Sequence, residues 1–117
     1  MGMSQALQGS YLLEAATIDR VVTERQPGAY VLGHKRTGGI FRISFVGRAE
    51  ANLNVRLKQQ AEMNAYAAFM FQYCSSPKEA FEAECKVFHT FAPPDNKAHP
   101  TRPPSADWKC PNCKMFG

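Results

Sequence analysis

The sequence has no long hydrophobic run. No apolar stretch reaches the roughly 18 residues that a membrane-spanning helix requires, and the N-terminus lacks the basic, apolar and small-residue segments of a signal peptide. We therefore expect no membrane association and a cytoplasmic protein. In that reducing compartment the four cysteines should be free thiols or metal ligands rather than disulfides.

Charged residues are sparse as well, at 21% of the chain, and no internal repeat is present. Apolar residues reach 44%, which predicts a packed interior and argues against disorder. A length of 117 residues is typical of one domain, so we expect a single domain over residues 1–117. The formal charge of +4 and the pI near 9.0 fit an anionic partner such as nucleic acid.

The first half of the chain predicts an antiparallel hairpin. Residues 1–27 carry scattered apolar positions without a period, and we interpret them as a short helix or an irregular lead-in. Ala29–Leu32 is β-prone, and His34–Gly39 is a polar loop that ends in glycine. Ile40–Val46 alternates in a way that predicts one buried face, with Phe41, Ile43 and Phe45 against Arg42 and Ser44.

A helix and a third strand are predicted after the hairpin. Asn52 or Asn54 can cap a helix that runs to about Gln60 or beyond. The apolar side of this helix is formed by Leu53, Leu57 and Ala61. The segment Ala68–Cys74 then predicts a third strand.

The last helix has the clearest boundary in the sequence. Ser76 at the N-cap position and Glu79 three residues later form a capping box, and Pro77 occupies the first helical position, where proline is tolerated best. We predict a helix over Pro77–Phe91 that is ended by two following prolines. The tail Asn96–Gly117 is rich in proline and should form no regular element.

Glu84 interrupts the apolar face of this helix. A projection at roughly 100° per residue puts it near the middle of the face formed by Ala80, Phe81, Cys85, Val87, Phe88 and Phe91. An ionised carboxylate is rarely buried without a cation or a metal beside it, because the unpaired charge is costly or shifts its pKa. Either the helix faces a polar cleft or a partner at Glu84, or the carboxylate reaches solvent or meets an arginine for structural reasons.

Several short motifs occur in a characteristic order. Gly28-Ala29-Tyr30 lies on the first predicted strand and Phe45-Val46-Gly47 on the second. The segment Arg48–Leu57 then places a basic residue before an Asn-Leu pair and a helical arginine, with one extra residue inserted. A helical glutamate and a later asparagine follow at Glu84 and Asn96. In order, spacing and element type these motifs resemble the GIY-YIG nuclease family.

The resemblance covers about Pro27 to Asn96. It implies an α+β fold with a small three-stranded antiparallel sheet flanked by helices, and a metal-dependent endonuclease that cleaves DNA or structured nucleic acid. It implies that Glu84 holds one catalytic Mg²⁺ or Mn²⁺, that Arg56 clamps the phosphate and that Tyr30 orients or deprotonates the attacking water. The structural alternatives are that Arg56 is a solvated helix residue and that Tyr30 is a core aromatic with a bonded hydroxyl.

Arg48 and Asn96 complete the implied site, the first serving the same anionic centre and the second fixing the shape of the site. Phe45 departs from the family, because it stands where the signature has its second tyrosine. This departure leaves two functions open. The domain is either an endonuclease in which His34 or Tyr30 takes over the missing role, or a non-catalytic, zinc-stabilised nucleic-acid-binding module.

Cysteine and histidine residues predict a second metal site. Cys85 and His89 are four residues apart on one helix face, so they can share a metal ion. Cys110 and Cys113 add a Cys-x-x-Cys knuckle from the tail and complete a Cys₃His set suited to tetrahedral structural zinc. Such a site would hold down a tail that otherwise lacks regular structure. His99 can replace His89 in this set.

Alternatives remain for the cysteines and for specificity. Cys85 can be a small core residue, with the Cys-x-x-Cys pair either unoccupied or redox-active, and an accessible thiol of low pKa would then indicate a redox or metal-handling protein. Cys74 is a weaker candidate ligand because its strand should direct it elsewhere. The sequence has no helix-turn-helix or other separate targeting module, so substrate specificity can come from a protein partner.

Overall fold

Four strands and three helices make up the fold. The computed structural model of the chain describes residues 7–113, so the first six residues of the predicted lead-in and the last four of the predicted tail lie outside the described residues. The elements, in chain order, are β1 Gln8–Leu12, α1 Ala15–Val21, β2 Gly28–Lys35, β3 Phe41–Ala49, α2 Leu53–Met63, β4 Ala68–Tyr73 and α3 Pro77–Phe91. Within residues 7–113, no helix is both long enough and apolar enough to cross a bilayer.

The sheet is antiparallel throughout, in the order β1-β4-β2-β3. The expected α+β class with an antiparallel sheet and flanking helices is confirmed, but the expected number of three strands is wrong. The extra strand, β1, comes from the lead-in that was interpreted as helical or irregular. Its five residues carry no clear alternation, and it is defined by its pairing with β4, where Tyr11 faces Phe69.

The helices divide the sheet into two sides, which we call the α2 side and the α3 side. On the α2 side, α1 and α2 cover a large apolar core that includes Ile18, Val22, Leu32, Leu53, Leu57, Phe69 and Phe71. On the α3 side, the apolar cluster is smaller and is built around Val31, Val46 and Val87, with Phe41, Ile43, Met70 and Phe88 packed against it. Each helix contributes one apolar face to this three-layer arrangement.

A β-bulge at Ser44 changes the expected facing of β3. Leu32 pairs with Phe45 but Gly33 pairs with Ile43, so one extra residue is inserted in β3. As a result Phe45 packs on the α2 side, whereas Ile43 packs on the α3 side. The prediction that Phe41, Ile43 and Phe45 share one buried face of β3 is therefore wrong. Gly33 is required here, because a Cβ atom would lie 1.9 Å from the Arg42 carbonyl oxygen.

The predicted boundaries of α3 are confirmed. The Ser76 hydroxyl accepts a hydrogen bond from the Glu79 amide at 3.1 Å, and the Glu79 carboxylate accepts one from the Ser75 amide at 2.7 Å. The first bond is that of a capping box, whereas the second comes from Ser75, one residue before the Ser76 N-cap. The helix ends at Phe91, and Ala92 adopts a left-handed conformation with φ of 44°.

At α2 the structure selects between the two possible caps. Asn52 accepts the hydrogen bond from the Val55 amide, at 3.3 Å. The amide group of Asn54 instead donates to Asp19 and to the Val22 carbonyl, which joins α2 to α1. The helix extends to Met63, which agrees with the predicted end at about Gln60 or beyond.

Candidate active centre and metal cluster

Glu84 meets an arginine on the α3 side of the sheet. Arg48, near the end of β3, donates from Nη1 to Glu84 Oε1 at 2.7 Å, and the two side chains are only 12% and 10% exposed. The buried position of Glu84 on the apolar face of α3 is thus offset by a charge-assisted hydrogen bond, the strong class of such bonds. Of the alternatives left open by the sequence, the structure shows an arginine contact.

All three nitrogen atoms of the Arg48 side chain donate to carboxylates. Its Nε and Nη2 atoms donate to Glu50 Oε2 at 3.0 and 2.7 Å. The guanidinium carbon also lies 5.2 Å from the ring centre of Phe81 and 5.9 Å from that of Trp108, both within cation–π range. Arg48 therefore links β3, α3 and the tail through a single cationic group.

The environment of Glu84 favours its neutral form more than water would. Burial raises the pKa of the Glu84 carboxyl, and the hydrogen bond and charge of Arg48 act in the opposite direction. Only Oε1 receives the Arg48 bond. No fully buried side-chain nitrogen or oxygen within residues 7–113 lacks a hydrogen-bond partner, so Oε2 is not completely enclosed, although Glu84 as a whole is only 8% exposed.

The fit of a divalent cation at Glu84 can be judged from this arrangement. Magnesium keeps several of its waters and binds proteins through one or two carboxylates. Glu84 Oε2 offers one hard oxygen that Arg48 does not contact, and the Glu50 carboxylate is held on the same guanidinium. The residues are compatible with a largely hydrated Mg²⁺ or Mn²⁺, with Arg48 beside it as a competing cation.

Tyr30 lies on the α2 side and is almost fully buried. Its hydroxyl accepts a hydrogen bond from Gln60 Nε2 at 3.3 Å. Its ring lies against Gly47, where a Cβ atom would come within 2.5 Å of the hydroxyl oxygen. The glycine of the predicted Phe45-Val46-Gly47 motif is therefore needed to accommodate the tyrosine of the other motif.

The Tyr30 phenol stays protonated near neutral pH. Burial raises the pKa of Tyr30 to about 12, with Arg56 lowering it and Glu84 raising it further. Both charges thus lie within electrostatic range of this hydroxyl. A phenol of this kind donates its proton in a hydrogen bond and is a poor general base, which favours the orienting role over deprotonation of a water molecule.

Arg56 differs from Arg48 in its position, its exposure and its partners. It lies in the first half of α2 and is exposed. Within residues 7–113, no hydrogen bond or ion pair is formed by its guanidinium. Arg56 is consequently available to an anion from solution, whereas Arg48 is already neutralised by two carboxylates.

The Asn96 side chain binds the backbone of β3. It accepts a hydrogen bond from the Val46 amide at 2.8 Å and donates one to the Val46 carbonyl at 3.0 Å. The amide of Asp95 also donates to the Ser44 carbonyl at 2.9 Å. These bonds attach the chain after α3 to the outer edge of β3, a contact that fixes shape.

The position of the missing signature hydroxyl is occupied by aromatic packing. Phe45 stacks on Tyr66 with ring centres 6.4 Å apart, and His34 lies 6.0 Å from the same ring. The Tyr66 hydroxyl donates to Asp95 at 2.5 Å. Sequence reasoning missed Tyr66 because it lies in the turn between α2 and β4, where no pattern indicates which side chain it meets.

Four possible metal ligands converge at the end of α3. The ligand atoms of His89, His99, Cys110 and Cys113 all lie within 4.8 Å of one another. His89 comes from α3, and the other three come from the tail. This His₂Cys₂ cluster could hold a metal ion such as zinc, for which two imidazoles and two thiolates form a usual tetrahedral set.

Neighbouring groups orient the cluster for metal binding. His99 Nδ1 lies 2.8 Å from the Pro100 carbonyl oxygen, which can only accept, so Nδ1 carries the proton and Nε2 keeps its lone pair. That Nε2 atom is 3.4 Å from Cys113 Sγ. Burial opposes ionisation of Cys110, but the hydrogen bond from the Asn112 amide and the interaction with the His99 ring lower the pKa of its thiol to about 6. Its thiolate form suits a metal.

The predicted ligand set differs from the observed cluster at one position. His99 joins His89, and Cys85 is not among the four ligands. Cys85 is fully buried beside Cys110 and Phe81, and burial, followed by its contact with Cys110, raises the pKa of its thiol. Cys85 therefore faces the packed contact between α3 and the tail, whereas His89 lies one turn later and is exposed.

Comparison with known proteins adds no assignment. No protein-family model matches the chain, and no curated protein or solved structure matches it. The resemblance to the GIY-YIG family consequently remains a prediction from the motifs, and functional inference must rest on the geometry of the site itself.

Proposed function

We propose that this domain is a GIY-YIG-type endonuclease that cleaves phosphodiester bonds in DNA or structured nucleic acid with Mg²⁺ or Mn²⁺. One observation carries the proposal: the Tyr30 hydroxyl lies within electrostatic range of both Glu84 and Arg56. These groups come from three elements and interact electrostatically, with Tyr30 on the α2 side of the sheet and Glu84 on the α3 side. A phenol donor, a carboxylate and an unpaired arginine together supply the groups used in hydrolysis at a phosphate.

In this proposal Arg56 receives the phosphate of the substrate. Its guanidinium is exposed, and a planar, always charged fork is suited to phosphate oxygens. Tyr30 keeps its proton and orients the attacking water by donating a hydrogen bond or by holding a neighbour that does so. Removal of either group should lower the rate of cleavage while the fold is retained.

Glu84 would hold the divalent cation through Oε2, the oxygen that Arg48 does not contact. The cation would supply Lewis-acid stabilisation of the negative charge on the phosphate and on the leaving oxygen. Arg48 is a positioning residue, because it fixes the Glu84 carboxylate by the 2.7 Å bond. Asn96 acts indirectly, because it keeps the chain after α3 on the edge of β3.

We assign a structural role to zinc at the His₂Cys₂ cluster. The cluster joins α3 to the tail, and the tail in turn places Trp108 over the Arg48 guanidinium. Metal at this point would hold one wall of the proposed active centre without taking part in the reaction. We expect the enzyme to act in the cytoplasm, with a protein partner contributing to its choice of substrate.

A non-catalytic, zinc-stabilised nucleic-acid-binding module is the second candidate. Two observations favour it: Arg48 is neutralised by Glu50 and Glu84, and Phe45 brings no hydroxyl to the centre. In such a module Arg56 would still bind phosphate. The two candidates differ in whether the Glu84 carboxylate is needed for a chemical step.

Nicking of supercoiled plasmid separates the two functions. The zinc-loaded protein should nick plasmid in Mg²⁺ or Mn²⁺, and Glu84→Gln should lower the rate at least about 100-fold, the usual cost of losing a group that stabilises the transition state. Glutamine retains the size of the side chain and an acceptor for Arg48. Glu82→Gln, on the same helix, is the matched control and should nick at the wild-type rate.

The remaining outcomes have distinct meanings. If the wild-type protein binds plasmid and labelled oligonucleotides but never nicks them, the binding module replaces the nuclease. Equal nicking by the wild-type protein and Glu84→Gln would show that the activity comes from elsewhere or from a contaminant. Absence of both binding and nicking would contradict both candidates.

A further inference from the structure

A groove lies on the α3 side at the opposite end of β3 from Arg48. The hairpin between β2 and β3 forms one wall and the end of α3 forms the other. The groove has a volume of about 470 Å³ and is lined by Arg36, Ile40, Phe41, Arg42, Ile43 and Phe91. None of these lining residues belongs to the proposed active centre or to the metal cluster.

The charged side chains that line this groove are all positive. Residues 34–42 contain Lys35, Arg36 and Arg42 and no carboxylate. Within residues 7–113, no hydrogen bond or ion pair is formed by these three cationic side chains, and all three are exposed. The absence of carboxylates from the groove lining leaves this charge uncompensated. A polyanion is the complementary partner.

Exposed apolar side chains lie between these charges. Ile40 is 67% exposed and Phe91 is 54% exposed, although both are large and apolar. Phe91 is the last residue of α3, and the packing of Phe88 in the same turn against the α3-side cluster fixes the helix there. Phe91 lines the groove together with Arg36 and Arg42, so a planar ring and phosphate-binding groups border one space, the combination used for unpaired bases.

We propose that this groove binds an unpaired strand of nucleic acid that flanks the bond cleaved at the active centre. Arg36 and Arg42 would contact backbone phosphates, and a base would stack on Phe91. An unpaired strand is favoured over a duplex because a duplex keeps its base faces inside the stack and offers Phe91 only its backbone. The inference rests on the proposed function and adds its substrate class.

The length of β3 sets the distance between groove and active centre. Six residues separate Arg42 from Arg48, which at about 3.3 Å per residue gives roughly 20 Å. At about 3.4 Å per nucleotide of a stacked strand, this distance corresponds to about six nucleotides. We therefore expect cleavage about six nucleotides from the segment held in the groove.

Binding is tested without Mg²⁺ or Mn²⁺, so that cleavage plays no part. Fluorescence anisotropy compares a labelled 12-nucleotide thymidine strand with a hairpin duplex of equal length for the zinc-loaded protein. The double variant Arg36→Gln/Arg42→Gln should weaken single-strand binding at least about tenfold and reduce the salt slope by about 1.4, at 0.7 per phosphate contact. Phe91→Ala should weaken it about 5- to 150-fold at an unchanged salt slope.

Matched controls and opposite outcomes define the test. Lys86→Gln removes one charge from the exposed face of α3 and should leave single-strand affinity within twofold. The proposal is overturned if the thymidine strand binds equally well to the wild-type protein and to both groove variants. It is also overturned if the duplex binds more tightly and Phe91→Ala has no effect. Plasmid nicking by the wild-type protein, measured separately, decides the proposed function in either case.

Discussion

The two sides of the sheet are stabilised by different means. The α2 side is closed by apolar packing, in which Leu53, Leu57, Phe69 and Phe71 are almost completely inaccessible to solvent. On the α3 side the apolar cluster is smaller, and the Arg48–Glu84 pair and the His₂Cys₂ cluster complete the contact with the tail. Polar and metal-binding groups are thus concentrated on the side with the smaller apolar cluster. We therefore expect the stability of the α3 side to depend on bound metal and on charge, and that of the α2 side to depend on the volume of its packed side chains.

Removal of metal should have the largest effect on this comparison. Structural zinc contributes on the order of 10 kcal/mol to small domains that depend on it. Cys113→Ser should abolish metal binding, and trypsin should then cut the tail after Lys97 and Lys109 at least tenfold faster. The α2 side lies away from the cluster and should resist. Metal analysis by mass spectrometry, with a proteolysis time course, measures both quantities.

Asp107→Asn is the control for the metal experiment, because it alters the exposed part of the tail outside the four ligands and keeps every tryptic site. It should retain one metal ion per chain. Removal of Mg²⁺ from the buffer should stop the cleavage of nucleic acid by the protein but leave its tail ordered. A metal-free protein with unchanged thermal stability would contradict the metal cluster altogether.

Breaking the buried ion pair should have the next largest effect. Arg48→Met leaves Glu84 buried without its partner and removes the group between Phe81 and Trp108. Loss of one partner of a buried pair typically costs about 3–5 kcal/mol of unfolding free energy. Urea denaturation of the metal-loaded variant should show this loss.

A double variant sharpens the same result. Arg48→Met combined with Glu84→Leu replaces both charges by apolar groups of similar size, which is often neutral or stabilising. We expect the double variant to recover most of the stability lost by Arg48→Met while remaining inactive. If the double variant is as unstable as the single one, then packing of the guanidinium, and not its charge, dominates this side.

Tyr30→Phe should have the smallest effect, and its sign should depend on pH. Near pH 9 the lost Gln60 hydrogen bond should cost about 0.5–1.5 kcal/mol. Because burial raises the Tyr30 pKa to about 12, the folded wild-type protein keeps a proton that the unfolded chain loses above pH 10. Wild-type stability should therefore fall between pH 10 and 12, and the deficit of the variant should shrink or reverse there.

Urea titrations of both proteins at pH 9 and pH 11 measure this change. Other groups that titrate in this range, Tyr66 included, are common to both proteins and cancel in the difference. A deficit that is the same at both pH values would show that the Tyr30 hydroxyl is not buried. A large loss of stability at pH 9 would contradict the division between a packing-dominated α2 side and a charge-dependent α3 side.

Local signals predicted the elements that depend on neighbouring residues. The bounds of α3 followed from Ser76, Pro77 and Glu79, because capping bonds and proline geometry act within one turn. The position of Glu84 on the buried face followed from helical periodicity. The sequence also indicated a metal site formed by α3 and the Cys-x-x-Cys knuckle, since those residue types have few other uses together.

Only the tertiary structure decided the features that depend on distant partners. The strand β1 exists through its pairing with β4, and the bulge at Ser44 changes the facing of β3 through its pairing with β2. His99 enters the metal cluster in place of Cys85 because the irregular tail folds back on α3, a path that no periodic pattern encodes. Sequence determines what is settled within a few residues, whereas pairing register and tail path follow from contacts that only the whole fold creates.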